Sequence, residues 1–172
     1  MKKFYITGTS GVGKSAVAIK LQESGIPSVD MDKIDGLCRW VNKKTKRISS
    51  WYPGIGYDFL ESHEYLCNKE KLTALMSAYK GIIVVVGYAD NYPDFLDLFD
   101  KIFLFHCDED VFIKRIENRI DNDFGKHSSE KKVLLDWYRG FESDMLKRGA
   151  IPINTTEPVY TVVDKVIEYI KL

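Results

Sequence analysis

Apolar residues recur along this chain in two rhythms, short unbroken runs and longer stretches with one apolar face. The first run, Phe4-Tyr5-Ile6-Thr7, is β-branched and aromatic and predicts a strand. A helix opens at Gly13 or Lys14, because Val17, Ala18 and Leu21 recur at helical spacing before Gly25 and Pro27 stop it. A second, short strand is expected over residues 27–30. From residue 33 to 79 the pattern is mainly helical. Leu72, Leu75, Met76 and Tyr79 form one apolar stripe there, after a looser stretch at Pro53-Gly54-Ile55-Gly56. Residues 33–80 therefore read as an all-helical insertion between strands.

Ile82-Ile83-Val84-Val85-Val86 is apolar throughout, which marks a central parallel strand covered on both faces. A short helix is expected over residues 93–99 and a strand over 101–107. The next helix carries Val111, Phe112, Ile113 and Ile116, with Asp108, Glu109 and Asp110 in its first turn, where acids suit the helix dipole. Residues 121–131 are polar and aperiodic, hence a loop, and helix resumes from about 130 to 147. A last strand, 151–154, precedes a helix whose apolar face is Val159, Val163, Val166, Ile167 and Ile170. Strands alternating with helices in this order specify an α/β protein, a three-layer α/β/α sandwich on a five-stranded parallel sheet. Ligands are expected at the carboxyl ends of its strands.

The bulk numbers narrow this further. With 172 residues and 45% hydrophobic content, one well-buried domain spanning residues 1–172 is expected. Lys plus Arg and Asp plus Glu balance at 25 each, which leaves no electrostatic footprint for nucleic acid or an anionic membrane. Cys38, Cys67 and Cys107 are odd in number and lack C-x-x-C spacing, against both a disulfide framework and a zinc site. The longest aliphatic run, five residues from Ile82, is too short to span a bilayer, so a cytoplasmic protein is expected.

The chemistry concentrates just after the first strand. Gly8-Thr9-Ser10-Gly11-Val12-Gly13-Lys14-Ser15 is a complete G-x-x-x-x-G-K-[ST] motif in the strand-to-helix setting it requires. Its glycines let successive backbone N–H groups curl inward around phosphate oxygens. Lys14 then reaches the β- and γ-phosphates and Ser15 binds magnesium. No [NT]-K-x-D or D-x-x-G motif follows a strand, which counts against a GTPase, and the chain is short for an oligomeric ATPase ring.

Further features follow in order: the acids of Val29-Asp30-Met31-Asp32, an insertion, Arg115 and Arg119 leading into a short lid at 119–131, and Ile153-Asn154-Thr155-Thr156-Glu157-Pro158. Over essentially its whole length the chain resembles the nucleoside-monophosphate kinase and shikimate kinase-like group of P-loop small-molecule kinases. That resemblance implies ATP and Mg²⁺ as cofactors and a small metabolite as phosphoryl acceptor, in a monomer or homodimer. It implies that Asp30 supports Mg²⁺ with Ser15, and that Asp32 orients or deprotonates the acceptor hydroxyl. Arg115 and Arg119, four apart on one helix face, would clamp phosphates and flank adenine, with Thr155 on the same nucleotide side. Arg139, on the helix after the lid, would face the transferred phosphate, and Lys126 could close over the phosphates.

Alternatives stand beside several of these roles. Asp32 would also serve as the N-cap of a helix starting at Lys33, and Arg115 with Arg119 as a solvated pair. The strand at Ile82–Val86 does not end in the acid of a standard Walker B strand. Asp90 in Gly87-Tyr88-Ala89-Asp90-Asn91 reaches metal or substrate, or else only shapes a turn. In the insertion, Arg39, Trp40, Lys43, Lys46, Arg47, Trp51 and Tyr57 mix cations with aromatics, which favours an anionic, planar acceptor; the alternative is core tryptophans and a solvated basic loop. The expected function is transfer of the γ-phosphoryl group of ATP to a nucleotide, nucleoside or hydroxy acid. The competing possibility is an ATP/ADP-binding regulatory module without transfer, or a slow ATPase.

Overall fold

The computed structural model describes residues 1–118, 120 and 123–171; within them, the side chains of residues 128, 129, 132, 133, 135, 138 and 139 are not described. Strand β1 (Lys2–Thr7) leads through the glycine-rich loop into helix α1 (Lys14–Glu23) and strand β2 (Ser28–Asp30). Then come β3 (Cys38–Asn42), β4 (Ile48–Ser49), α2 (Tyr57–Ser62), β5 (His63–Cys67) and α3 (Lys69–Ser77). The second half runs β6 (Ile82–Val86), β7 (Lys101–His106), α4 (Glu109–Asn118), α5 (Ser128–Lys147), β8 (Ile151–Asn154) and α6 (Val159–Lys171).

The main sheet has five strands in the order β2-β6-β1-β7-β8, and each of its pairings is parallel. Its two faces are both dry, for a reason visible along β1. Phe4 and Ile6 point to the face covered by α1 and α6, where Leu21, Val163 and Val166 are buried with them. Tyr5 points the other way, onto Met31, Leu72, Met76 and Phe95. Each fully buried Phe, Ile or Val stabilises the fold by about 1.5–3 kcal/mol, so the continuous apolar runs at β1, β6 and β7 are what hold the three layers together. Chain order reverses between β1 and β6. The crevice of a parallel sheet opens at such a switch point, beyond the carboxyl ends of those two strands.

The insertion departs from expectation. Residues 33–80 are not all helical: β3, β4 and β5 form a three-stranded antiparallel sheet in the order β4-β3-β5, with Trp40 opposite Tyr65 and Arg39 opposite Leu66. These strands are half-buried on both faces, so the apolar–polar alternation that signals a strand is blurred. The hairpin is closed by Asn42, whose side-chain oxygen accepts from the backbone N–H of Lys44 at 3.0 Å and Thr45 at 2.9 Å. The helical stripe at Leu72 and Met76 is real but belongs to α3 alone.

Two smaller corrections concern turns. No helix starts at Lys33; Met31–Lys33 is a single 3-10 turn capped by Asp30, which accepts from the Asp32 N–H at 3.1 Å. Asp32 is thereby freed of the capping role. The short helix expected over 93–99 is two 3-10 turns, Tyr92–Asp94 and Leu96–Leu98.

Candidate active site

The loop after β1 has the backbone its sequence calls for. Gly8 has φ 149°, and a Cβ there would sit 2.5 Å from the Phe105 carbonyl oxygen; at Gly11, φ 98°, it would sit 2.6 Å from the Ile116 side chain. Only glycine lets the loop nest between β7 and α4. Gly13, at φ 93°, caps α1 without a side-chain hydrogen bond, which leaves the first-turn N–H groups for an anion. Lys14 lies back across the loop, its Nζ donating to the carbonyls of Gly8 at 2.7 Å and Thr9 at 2.9 Å.

A cavity of about 470 Å³ opens over this loop, lined by residues 10–17 and by Asp32, Arg115, Asn118 and Thr155 among others. Arg115 reaches it because α4 packs beside the loop: a Cβ on Gly13 would lie 3.8 Å from Arg115 Nη1. Its guanidinium is fixed by Thr155, Nη2 donating to the backbone carbonyl at 2.6 Å and Nη1 to Oγ1 at 3.3 Å. Thr155 is in turn pinned to the end of β7, its N–H and Oγ both donating to the His106 carbonyl, at 2.7 and 3.0 Å. Folding thus brings together Gly8, Thr9, Ser10, Gly11, Val12, Gly13, Lys14, Ser15, Arg115 and Thr155. Arg119 lies outside the described residues.

A second cavity, about 240 Å³, adjoins the first and shares Ser10, Lys14 and Asp32 with it. Asp32 therefore stands at the junction. The Tyr65 hydroxyl donates to its Oδ1 at 2.8 Å. Its carboxyl is held above the ordinary aspartate range, chiefly by loss of hydration inside the cleft and also by the nearby Asp30; the Tyr65 hydrogen bond and the Lys14 charge pull against this. The Tyr65 phenol is pushed well up by burial and by the Asp32 charge, so it stays a donor.

The rest of the second cavity is mostly aromatic: Trp40, Trp51, Tyr65, Tyr88, Phe124 and Trp137, with Leu134 and Thr9. Trp40 touches Tyr65 and Phe124, with centroids 5.2 and 6.4 Å apart, and Phe124 meets Trp51 edge-on at 5.3 Å. Tyr88 and Trp137 form a separate parallel pair at 6.3 Å. Glu130, fully buried, joins the insertion to the lid: it accepts the Gly125 N–H at 2.9 Å and the Gly54 N–H at 3.2 Å.

Other expected residues are placed elsewhere. Arg39 is exposed and does not line either cavity, because it sits on a strand. Alternation turns it away from its neighbour Trp40, so its guanidinium lies over Gly36 beside Lys71. Asp90 also lies outside both cavities. Its two oxygens accept from the Tyr65 N–H and the Tyr88 hydroxyl, both at 2.6 Å, which ties the antiparallel sheet to the end of β6. Asp30 is occupied as the cap described above and lines neither cavity. Lys126 pairs with Asp123 at 2.8 Å. The Arg139 side chain lies outside the described residues.

Tyr65, Tyr88, Phe124, Leu134 and Trp137 line the second cavity and were missed by sequence reasoning, as was Glu130, which lines neither cavity but ties the lid to the insertion. Tyr88 had a signal, since it follows Gly87 at the carboxyl end of the best strand, where ligands bind. Trp137 and Glu130 had none beyond their helix.

A parallel sheet with a glycine-rich phosphate loop at the end of its central strand defines a P-loop nucleotide-binding protein. A family model described as an AAA domain matches residues 5–135, and the chain belongs to that family. Its fold is shared with P-loop small-molecule kinases. Shikimate kinase from Acinetobacter baumannii in complex with shikimate aligns with TM-score 0.61 at 15% identity, over 99% of this chain and 93% of that one. A gluconokinase from Sinorhizobium meliloti 1021 aligns with TM-score 0.57 at 18% identity, over 99% and 91%. Deoxyadenosine kinase from M. mycoides with bound dATP aligns with TM-score 0.53 at 13% identity, over 99% and 100%. No curated protein matches the sequence at a significant level.

Proposed function

We propose that the protein is an ATP-dependent phosphotransferase that moves the γ-phosphoryl group to a hydroxyl of a small acceptor. The observation that carries this is the placement of Asp32 with Lys14 and Ser10 on the boundary of two cavities, one over the phosphate loop and one over the aromatic side chains. A nucleotide triphosphate in the first cavity points its terminal phosphate at an acceptor in the second. Lys14 leaves the loop carbonyls to bind phosphate oxygens. Arg115, held by Thr155, supplies a fixed cation where charge spreads over the migrating group, and Asp32 takes the acceptor proton. A carboxylate with a raised pKa accepts that proton more readily than an ordinary aspartate.

Magnesium fits the oxygen donors here, since Mg²⁺ keeps several waters and needs only one or two protein oxygens beside the phosphates. The Ser15 hydroxyl, which lines the phosphate cavity, would bind it, and the ion would neutralise phosphate charge. Among the described residues no cluster of three or more His, Cys, Asp or Glu forms a protein-only metal cage.

The test is ADP release from ATP with and without a panel of nucleosides, nucleotides and hydroxy acids. Stimulation by one acceptor is expected, abolished by Lys14→Ala and strongly reduced by Asp32→Asn while ATP still binds. Equal ADP release with every acceptor and with none would make the protein an ATPase instead. Normal turnover by Asp32→Asn would remove Asp32 as the base.

A further inference from the structure

We propose that Cys38 and Cys67 form a redox site: a peroxide closes them into a disulfide across the insertion sheet, on the aromatic side of the cleft, and leaves the nucleotide side unchanged. The two lie 29 positions apart in the chain, and β3 and β5 set them directly opposite one another. The backbone bonds around them show which kind of opposite pair this is. The N–H and carbonyl of Cys67 turn away from β3 onto the Asn91 side chain, which accepts from the first at 2.8 Å and donates to the second at 3.0 Å. The interstrand bond falls just outside the pair, where the Asn68 N–H donates to the Leu37 carbonyl at 2.8 Å. Cys38 and Cys67 are thus a non-hydrogen-bonded pair, in which Cα atoms stand about 4.5 Å apart and side chains are at their closest. A disulfide needs Cα atoms about 4.4–6.8 Å apart, so the ladder holds the two sulfurs within reach of a bond without a change of register.

The surroundings of the pair suit exchange rather than inert packing. Cys38, Trp40, Tyr65 and Cys67 share one face of the sheet, and Trp40 and Tyr65 line the aromatic cavity. Cys67 is buried in the cluster of Met31 and Leu72, but Cys38 is only half-buried, which gives a small oxidant a way in. A hydrogen bond between the two thiols lowers the Cys67 pKa against the opposing effect of burial, and raises that of Cys38. Burial and the charge of Asp32 raise Cys38 further, so the proton stays on Cys38 and thiolate character falls to Cys67. The Cys38 thiol also meets the Tyr65 hydroxyl, the group that holds Asp32. Closing the pair therefore changes a neighbour of the Tyr65–Asp32 contact and none of the groups around the phosphate loop. Cys107 provides the contrast, buried in the other core cluster beside Arg115 and Thr155.

The reaction balances with one peroxide. The Cys67 thiolate attacks a peroxide oxygen: an S–O bond forms, the O–O bond breaks, and the departing hydroxide takes up the proton Cys67 had released, giving water. The Cys38 sulfur then attacks the sulfenic sulfur of Cys67. The S–S bond forms, the S–O bond breaks, and the leaving oxygen takes the Cys38 proton and departs as a second water. The two thiols lose two electrons and the peroxide gains them. A dithiol reverses the change by thiol–disulfide exchange, entering at Cys38, the more exposed sulfur.

The experiment treats the full-length reduced protein with hydrogen peroxide, caps the remaining thiols with N-ethylmaleimide and maps the product by mass spectrometry. The expected product is a single chain in which Cys38 is linked to Cys67 and Cys107 alone is capped; dithiothreitol frees the pair again. Cross-linking the strands should raise Tm by about 5 °C or more, reversed on reduction. ADP binding by calorimetry should differ less than about twofold between the two forms. Cys107→Ser should oxidise like wild type, whereas Cys38→Ser and, separately, Cys67→Ala should lose both the link and the Tm shift. Sulfinic acid in place of the link, a link through Cys107 or between two chains, or no oxidation at all would overturn the inference. A Tm that stays level or falls on closure would refute the claim that the ladder accepts the bond in register. Loss of ADP binding on closure would refute its confinement to the aromatic side. None of these readouts needs a phosphoryl acceptor, so the redox site stands or falls separately from phosphotransfer.

Discussion

Glu130 is the side chain whose removal gives the sharpest test of how the lid is held. It is fully buried, and its two carboxylate oxygens accept backbone N–H groups from two different segments, Gly125 at 2.9 Å in the lid and Gly54 at 3.2 Å in the insertion. Neither glycine has a side chain to substitute for the lost acceptor. A hydrogen bond to a charged group contributes about 1.5–3 kcal/mol, and a buried donor left unpaired costs about 1–3 kcal/mol. Glu130→Ala opens a cavity that admits water beside Gly54, whose contact is only part-buried, so one of the two losses is partly repaired. The expected net effect is about 2–4 kcal/mol, equivalent to roughly 5–15 °C in Tm for a chain of this length. Glu130→Gln keeps one full acceptor and should fall about midway. Urea unfolding followed by tryptophan fluorescence measures both. A Glu130→Ala loss under about 1 kcal/mol, with Glu130→Gln indistinguishable from wild type, would mean that the two backbone contacts do not hold lid and insertion together.

Three further outcomes follow from the site. Asp32 bears a raised pKa, so the folded state binds its proton more tightly than the unfolded chain and the residue destabilises the fold increasingly as pH rises through the unfolded value. Asp32→Asn should therefore raise the urea midpoint at pH 7, with the gain shrinking towards pH 3; a gain that grew as pH fell would refute the desolvation account. Tyr65→Phe removes the hydrogen bond that lowers the Asp32 pKa, so the acid limb of the turnover–pH profile should move to higher pH, whereas an unmoved limb would dissociate the two groups. Gly8→Ala forces a Cβ to 2.5 Å from the Phe105 carbonyl and should cost at least about 2 kcal/mol of stability and abolish ATP binding, as read by calorimetry.

Much of the fold was legible because its signals are local. The run Ile82–Val86 has no polar position, so it had to be covered on both faces, and β6 is buried as that pattern demands. The phosphate loop was equally legible, because the strand before it, the helix after it and the glycines between them are contiguous. The insertion was not. Its three strands are short and half-buried on both faces, and the apolar stripe of α3 lent them a helical cast. The misplacement of Arg39 followed directly, since a helical frame puts it beside Trp40 on a binding face while a strand sends the two to opposite sides.

The roles of the acids divide along the same line. That Asp30 and Asp32 follow β2 could be read from the chain, but which one is free could not. A single 3-10 turn consumes Asp30 as a cap and leaves Asp32 facing Tyr65, a residue 33 positions away. Asp90 has turn chemistry in the sequence, and in three dimensions it becomes the tie between the two sheets. Taken alone, then, the sequence determined the strand order's raw material, the phosphate loop and the Arg115 side of the nucleotide cavity, all from periodicity and from residues close in the chain. The tertiary structure decided what faces the acceptor. Trp40, Tyr65, Tyr88, Phe124 and Trp137 come from five separate segments, and only packing of lid and insertion over the sheet brings them to one cavity.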